Sequence, residues 1–182
     1  MSKEPRPLAA GVKAAAELVD LIGAGCERIA VAGSIRRAKT EVGDIELVAI
    51  PRVNEVPDGL FGTKLVNAFW PVVDACQRLV KAKGAEKYRQ YTYTARDDAS
   101  FQVDVFTATA ETFGWTLLVR TGSAEFSHSV ASMLNANGYT SRDGGICRMG
   151  DGGHIPTPEE VDVFALIGRP FVAPKDRYGW IR

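Results

Sequence analysis

Ala32-Gly33-Ser34-Ile35-Arg36-Arg37-Ala38-Lys39-Thr40-Glu41-Val42-Gly43-Asp44-Ile45-Glu46-Leu47 is the stretch on which the fold turns. Just upstream, Arg28 to Ala32 reads as a short buried strand that stops at Gly33. Downstream, Asp44 to Ile50 reads as a second strand closed by Pro51. Side chains alternate across a strand, so Asp44 and Glu46 share one face while Ile45 and Leu47 take the other. Between the strands, Gly33 lets the backbone come close to a ligand, exposed N–H groups form an anion cradle, and Ser34 adds a hydroxyl donor. Arg36 and Arg37 add charge, and a guanidinium grips phosphate oxygens at two points.

Working outward, Phe101-Gln102-Val103-Asp104-Val105-Phe106-Thr107 is another strand pattern, with Asp104 on one face and Val103 and Val105 on the other. If the two acidic strands are neighbours, three carboxylates meet. Two carboxylates ~4 Å apart repel by roughly 4 kcal/mol at a near-surface dielectric. Hard divalent cations offset such repulsion in an all-oxygen cluster, and magnesium does so while keeping substrate phosphates in its shell. Taken singly, Asp-x-Glu is more often a solvated acidic face, and the glycine-serine turn an ordinary one. Their adjacency gives the site its weight.

Glycine-serine, paired arginines and Gly43-Asp44-Ile45-Glu46 together resemble the signature of the nucleotidyltransferase superfamily in the form found in family X DNA polymerases. Val103-Asp104-Val105 resembles the later strand that carries the third carboxylate. Thr121-Gly122-Ser123-Ala124-Glu125-Phe126 resembles the start of the nucleotide-binding helix, and Thr157 to Arg177 resembles the closing lobe. The resemblance runs in order from Ala32 to Arg177. It implies an α+β fold: a nucleotidyltransferase palm over residues 1–137 and a small thumb-like α+β lobe over 138–182. It implies that Asp44, Glu46 and Asp104 are catalytic and bind two Mg2+ ions, for which Mn2+ can substitute. It places Gly33, Ser34, Arg37, Gly43, Arg120, Thr121 and Gly122 around a nucleoside triphosphate. The implied reaction adds nucleotides to a DNA 3′-hydroxyl, as in filling short gaps during repair.

The pattern departs from that family at several points. Glu46 stands where many members have aspartate, Gln102 where some have a basic residue, and Ser127 where asparagine is common. Val119-Arg120 replaces a common aromatic pair against the sugar. About thirty residues precede Gly33 without a helix-hairpin-helix motif, and the formal net charge is zero, so DNA is expected to be held weakly and salt-sensitively, or to be supplied by a partner protein. A small nucleotidyltransferase acting on a protein, a transfer RNA or a small molecule shares the same site logic and is the rival expectation. A monomer is expected.

Elsewhere, three widely spaced cysteines, Cys26, Cys76 and Cys147, fit no zinc pattern and suit a reduced, cytosolic protein. The start, Met1 to Lys13, lacks a signal-peptide core, and no apolar run is long enough to span a bilayer. Helices are expected over Pro7–Ile22, from Pro71 to about Lys81, over Thr112–Val119, from Ser123 to about Asn135, and from Thr157 as N-cap to Gly168. Val53 to Thr63 reads as a loop, and Arg96 to Ala99 as a hairpin turn between strands. Tyr91 and Tyr93 read as sheet surface, Trp115 as core, and two basic clusters (Arg28, Arg36, Arg37, Lys39; Arg78, Lys81, Lys83, Lys87, Arg89) as solvated or nucleic-acid-facing.

Overall fold

The computed structural model describes residues 4–59 and 62–181. In chain order the elements are β1 (Arg6–Pro7), α1 (Leu8–Ile22), β2 (Cys26–Val31), α2 (Gly33–Arg36), β3 (Glu41–Val42), β4 (Asp44–Pro51), β5 (Val53–Asp58), β6 (Gly62–Asn67) and α3 (Phe69–Ala75). There follow β7 (Leu79–Gly84), β8 (Tyr88–Thr94), β9 (Ser100–Thr107), α4 (Phe113–Thr121), α5 (Ala124–Ala136), β10 (Tyr139–Arg142), β11 (Gly145–Arg148), β12 (His154–Ile155) and α6 (Glu160–Leu166). The fold is α+β with a mixed sheet, ordered β2-β4-β9-β8-β7. β4 and β9 are parallel, and the other pairs antiparallel.

The sheet has two unlike faces. Ile45, Leu47, Ala49, Val103, Val105, Tyr91 and Tyr93 point to one, where α1 and α3 cover them with Ala15, Leu18, Ile22, Phe69 and Val73. The opposite face is apolar only toward one end, where Val48, Ala30, Ile50 and Phe106 pack with Phe113 and Leu117 of α4. Its other end carries Asp44, Glu46, Gln102, Asp104 and Gln90. The far side of α4, with Trp115 and Leu118, joins α5, β11 and α6 in a separate cluster around Phe126, Val130, Ile146, Val163 and Phe164. α4 is therefore shared between the sheet and the C-terminal cluster, and α5, before Gly138, packs with elements after it. Trp115 is core, as its sequence context suggests.

Gly114 makes that sharing possible. A Cβ there would lie 2.2 Å from both the carbonyl carbon and oxygen of Glu159, so α4 approaches the start of α6 backbone to backbone. Gly114→Ala is expected to cost about 1–3 kcal/mol by forcing this contact apart. Gly23→Ala, with no atom of the described residues within 4 Å of the added one, serves as a near-neutral control in the same urea titration.

Several elements differ from the sequence expectation. The helix expected from Pro71 to Lys81 begins two residues earlier, where Asn67 Oδ1 caps the N–H groups of Phe69 and Trp70. It stops at Ala75, because Cys76 turns to an extended ψ of 109° and Leu79 pairs with Tyr93 in the edge strand β7. The loop expected over 53–63 is largely a hairpin, β5 and β6, with residues 60 and 61 outside the described set. Tyr91 and Tyr93 are buried, not surface, because α1 and α3 lie over them. Their hydroxyls reach Asp74 at 2.8 Å and Glu17 at 3.4 Å. Burial, reinforced by the Asp74 carboxylate, pushes the Tyr91 phenol up to about 12. Thr157 does not cap α6. Glu159 is the N-cap and forms a capping box with Asp162, while Thr157 is buried and binds through its backbone to Glu111 and Gly114. The three cysteines are free thiols. Among the described residues, no helix is long and apolar enough to cross a membrane.

Candidate active site

The parallel pairing of β4 with β9 sets Glu46 beside Asp104 and Asp44 beside Gln102. The acidic residues of the two strands thus share one face, at neighbouring rungs about 5 Å apart in the hydrogen-bonding direction. Asp44 and Glu46 are half-buried and Asp104 is buried, 7% exposed. Three neutral donors converge on Asp104: the Tyr88 hydroxyl at 2.7 Å and the Gln90 amide at 2.8 Å on Oδ1, and the Gln102 amide at 2.9 Å on Oδ2. Burial, and then the hydrogen bond to Asp104, push the Tyr88 phenol up to about 12. Tyr88 stacks on Phe106, centroids 4.9 Å apart, and the exposed Arg120 guanidinium of α4 lies 3.9 Å over that ring.

A ready-made pocket in which all three carboxylates meet is not what the side chains form. Among the described residues, no three Asp, Glu, His or Cys side chains gather as a metal-holding group. One physical reason is that Asp104 is turned onto its three neutral donors. Another is that Glu46 reaches toward Gly33: its Oε2 would lie 2.0 Å from a Cβ built on that glycine.

Gly33 has a φ of +61°, in the left-handed region that glycine enters without steric cost. Together with the Glu46 contact, this explains why only glycine fits. Ser34 next to it has a buried hydroxyl with no hydrogen-bond partner among the described residues. An unpaired buried hydroxyl is costly unless a ligand or water completes it, and an incoming anion's oxygen is the chemistry it lacks. Gly43 is half-buried immediately before Asp44.

The arginines do not present themselves to that turn as expected. Arg37 donates to the carbonyls of Thr121 and, at 3.0 Å, Gly122, and its Nε is buried without a partner among the described residues. Arg36 donates to Thr121 Oγ1 at 2.8 Å and grips Glu160 at 2.7 and 2.8 Å. Unpaired carbonyls at a helix C-terminus carry partial negative charge and draw the Arg37 guanidinium to the end of α4, whereas Arg36 is held there by the Glu160 carboxylate and the Thr121 hydroxyl. The expected nucleotide residues Thr121 and Gly122 are thus brought to the Gly33 turn through the arginines. Of the same basic cluster, Arg28 is exposed and pairs with Glu159 at 2.6 Å, and Lys39 is exposed. In the second cluster, Arg89 pairs with Asp74 at 2.5 Å and lies 4.3 Å over the Trp70 ring, while Lys81 and Lys83 are exposed.

Glu160 sits under this arrangement. It is 5% exposed and accepts two hydrogen bonds from Arg36 and two from Arg177, which is itself fully buried among the rings of Phe126, Phe164 and Phe171. Burial works to raise the Glu160 carboxyl, but the paired arginines outweigh it and hold the group below its ordinary 4.5. Sequence reasoning missed Tyr88, Gln90 and Glu160. The first two were within reach: counting back from the Arg96–Ala99 turn through Thr94 opposite Ser100 sets Gln90 opposite Asp104. Nothing local marks Glu160, whose partners lie 124 and 17 residues away.

What the geometry defines is an α+β protein with acidic residues on neighbouring parallel strands, beside a glycine-serine turn locked to a C-terminal helical cluster. A family model of the DNA polymerase beta thumb matches residues 116–178, beginning within α4. DNA polymerase lambda of Rattus norvegicus is 25% identical over 166 residues, covering 80% of this chain and 28% of the relative. The chain is thus similar to a polymerase beta thumb in its C-terminal part and to a family X polymerase over most of its length, and it spans about 28% of the length of the curated relative it matches.

Proposed function

We propose that this chain transfers nucleotides from a nucleoside triphosphate to the 3′-hydroxyl of primed or gapped DNA, with Asp44, Glu46 and Asp104 as its catalytic carboxylates. The observation that carries this is the rung pairing of Glu46 with Asp104, with Asp44 on the same face, beside a turn whose Ser34 hydroxyl lacks a partner among the described residues. Likeness to a polymerase and to a polymerase thumb supports the direction.

The donor set is all carboxylate oxygen, which suits hard divalent cations. Asp44, Glu46 and Asp104 would hold them, and Mg2+ or Mn2+ there would supply charge stabilisation for in-line displacement at the α-phosphate. The chain's own residues do the positioning. Gly33 brings backbone N–H groups close to the β- and γ-phosphates, and Ser34 donates its hydroxyl to them. Arg37, once released from the Thr121 and Gly122 carbonyls, adds charge. Arg120, Thr121 and Gly122 border the sugar and base. The closing α6 cluster is tied to the phosphate turn through Arg36 and Glu160. With zero formal net charge, DNA binding is weak and weakens further with salt.

Primer extension tests this: the protein is incubated with gapped duplex, transfer RNA, each nucleotide labelled at its α-phosphate, and Mg2+ or Mn2+. Template-directed addition is expected. Label appearing on protein or transfer RNA, with none on DNA, would overturn the DNA assignment. Gly33→Ala is expected to raise the KM for the triphosphate roughly tenfold or more, since the left-handed backbone alone costs an L-residue about 1–2 kcal/mol and the new methyl displaces Glu46. An unchanged KM would remove the turn from the site.

A further inference from the structure

Among the described residues, the donors on Asp104 are unevenly placed. Oδ1 accepts from both the Tyr88 hydroxyl at 2.7 Å and the Gln90 amide at 2.8 Å, whereas Oδ2 accepts only from Gln102 at 2.9 Å. A carboxylate oxygen has two lone-pair positions. Both on Oδ1 are therefore taken, and one on Oδ2 remains. The arrangement is braced: Tyr88 stacks on Phe106, Arg120 covers that ring, and the Gln90 amide also lies 3.3 Å from the Tyr88 oxygen. Tyr88 and Gln90 both come from β8, whose register on β9 is fixed by continuous pairing from Tyr88 to Thr94.

We propose that Tyr88 and Gln90 are positioning residues that make Asp104 a one-point ligand through Oδ2, and that they thereby set the site's preference for Mg2+ over Ca2+. This rests on the proposed role of Asp104 as a metal ligand. Mg2+ demands near-octahedral geometry, met by one oxygen from each carboxylate. Ca2+ takes six to eight oxygens and readily accepts a carboxylate at both. With Oδ1 occupied by two donors, Asp104 cannot chelate. With that oxygen freed, the carboxyl can turn and offer both atoms, which suits the larger ion.

The test is metal binding to the full chain without turnover. Mn2+ binding is followed by electron paramagnetic resonance, with Mg2+ and Ca2+ as competitors, in wild type, Tyr88→Phe and Tyr88→Phe/Gln90→Leu. Tyr88→Phe keeps the ring and its stacking, and circular dichroism checks the fold of each variant. The ratio of Ca2+ to Mg2+ competition is expected to shift toward Ca2+ roughly 10–100-fold in the double variant, the range typical for residues that orient a metal ligand, and less in the single. Asp104→Asn is the control. If it weakens Mn2+ binding while the ratio stays put in the double variant, the positioning role is overturned and Asp104 remains a ligand. If Mn2+ binding ignores Asp104→Asn, or is absent in wild type, the ligand assignment fails and the positioning role with it.

Discussion

Glu160→Ala is expected to lower the stability of the chain by about 3–5 kcal/mol, the range for breaking a buried ion network by removing one partner. Arg177 is fully buried and Arg36 half-buried, and Glu160 is the carboxylate both of them grip. Removing it leaves two guanidiniums facing each other in a site walled by Phe126, Phe164 and Phe171. Urea denaturation followed by circular dichroism measures the loss. A cost near ~1 kcal/mol or less, the level of an exposed pair, would show that water reaches the network. The same network carries an acid dependence. Glu160 has a folded pKa below its ordinary 4.5, so its contribution is fully present above that value and drains away as pH falls through the folded pKa. Stability should decline on acidification more steeply in wild type than in Glu160→Gln. Because Arg36 closes the Gly33-Ser34 turn, Glu160→Ala should also weaken triphosphate binding, although Glu160 itself belongs to α6.

Asp104→Asn is expected to reduce nucleotidyl transfer at least about a hundredfold, comparable to deleting one transition-state charge stabiliser, while the melting temperature changes little. Asparagine can present its oxygen to Tyr88 and Gln90 and its NH2 to a flipped Gln102 amide, so all three neighbours keep a partner. Asp104→Ala is the poorer experiment. It strands those donors at about 1–3 kcal/mol each and mixes lost chemistry with lost packing. Wild-type activity in a folded Asp104→Asn variant would remove Asp104 from the catalytic set.

Much of the site's framework was readable from strand alternation alone. Period-two patterns put Asp44 with Glu46 and isolated Asp104 from Val103 and Val105, and they needed only the pairing of β4 with β9 to set Glu46 beside Asp104. Helices with clear stop signals, such as α1 before Gly23, were equally legible. Failures occurred where apolar residues fit either period. Leu79 and Val80 continue the helical spacing of α3, yet belong to an edge strand fixed by pairing with Tyr93 and Thr92. Tyr91 and Tyr93 alternate with threonines, as a solvated strand would, and only the helices laid over them decide their burial. Arg36 and Arg37 were expected at the phosphate turn. Their actual partners, Glu160 and the carbonyls of Thr121 and Gly122, come from far along the chain, beyond any local pattern.

The central claim is that carboxylates of two adjacent parallel strands serve one divalent-ion site beside the Gly33-Ser34 turn. Anomalous diffraction from crystals grown with Mn2+ and a non-hydrolysable deoxynucleoside triphosphate tests it most directly. The expected map has manganese density contacting Asp44, Glu46 and Asp104, with the triphosphate seated on Gly33 and Ser34. Bound nucleotide with its manganese remote from Asp104, and that carboxylate still held by Tyr88, Gln90 and Gln102 alone, would contradict it.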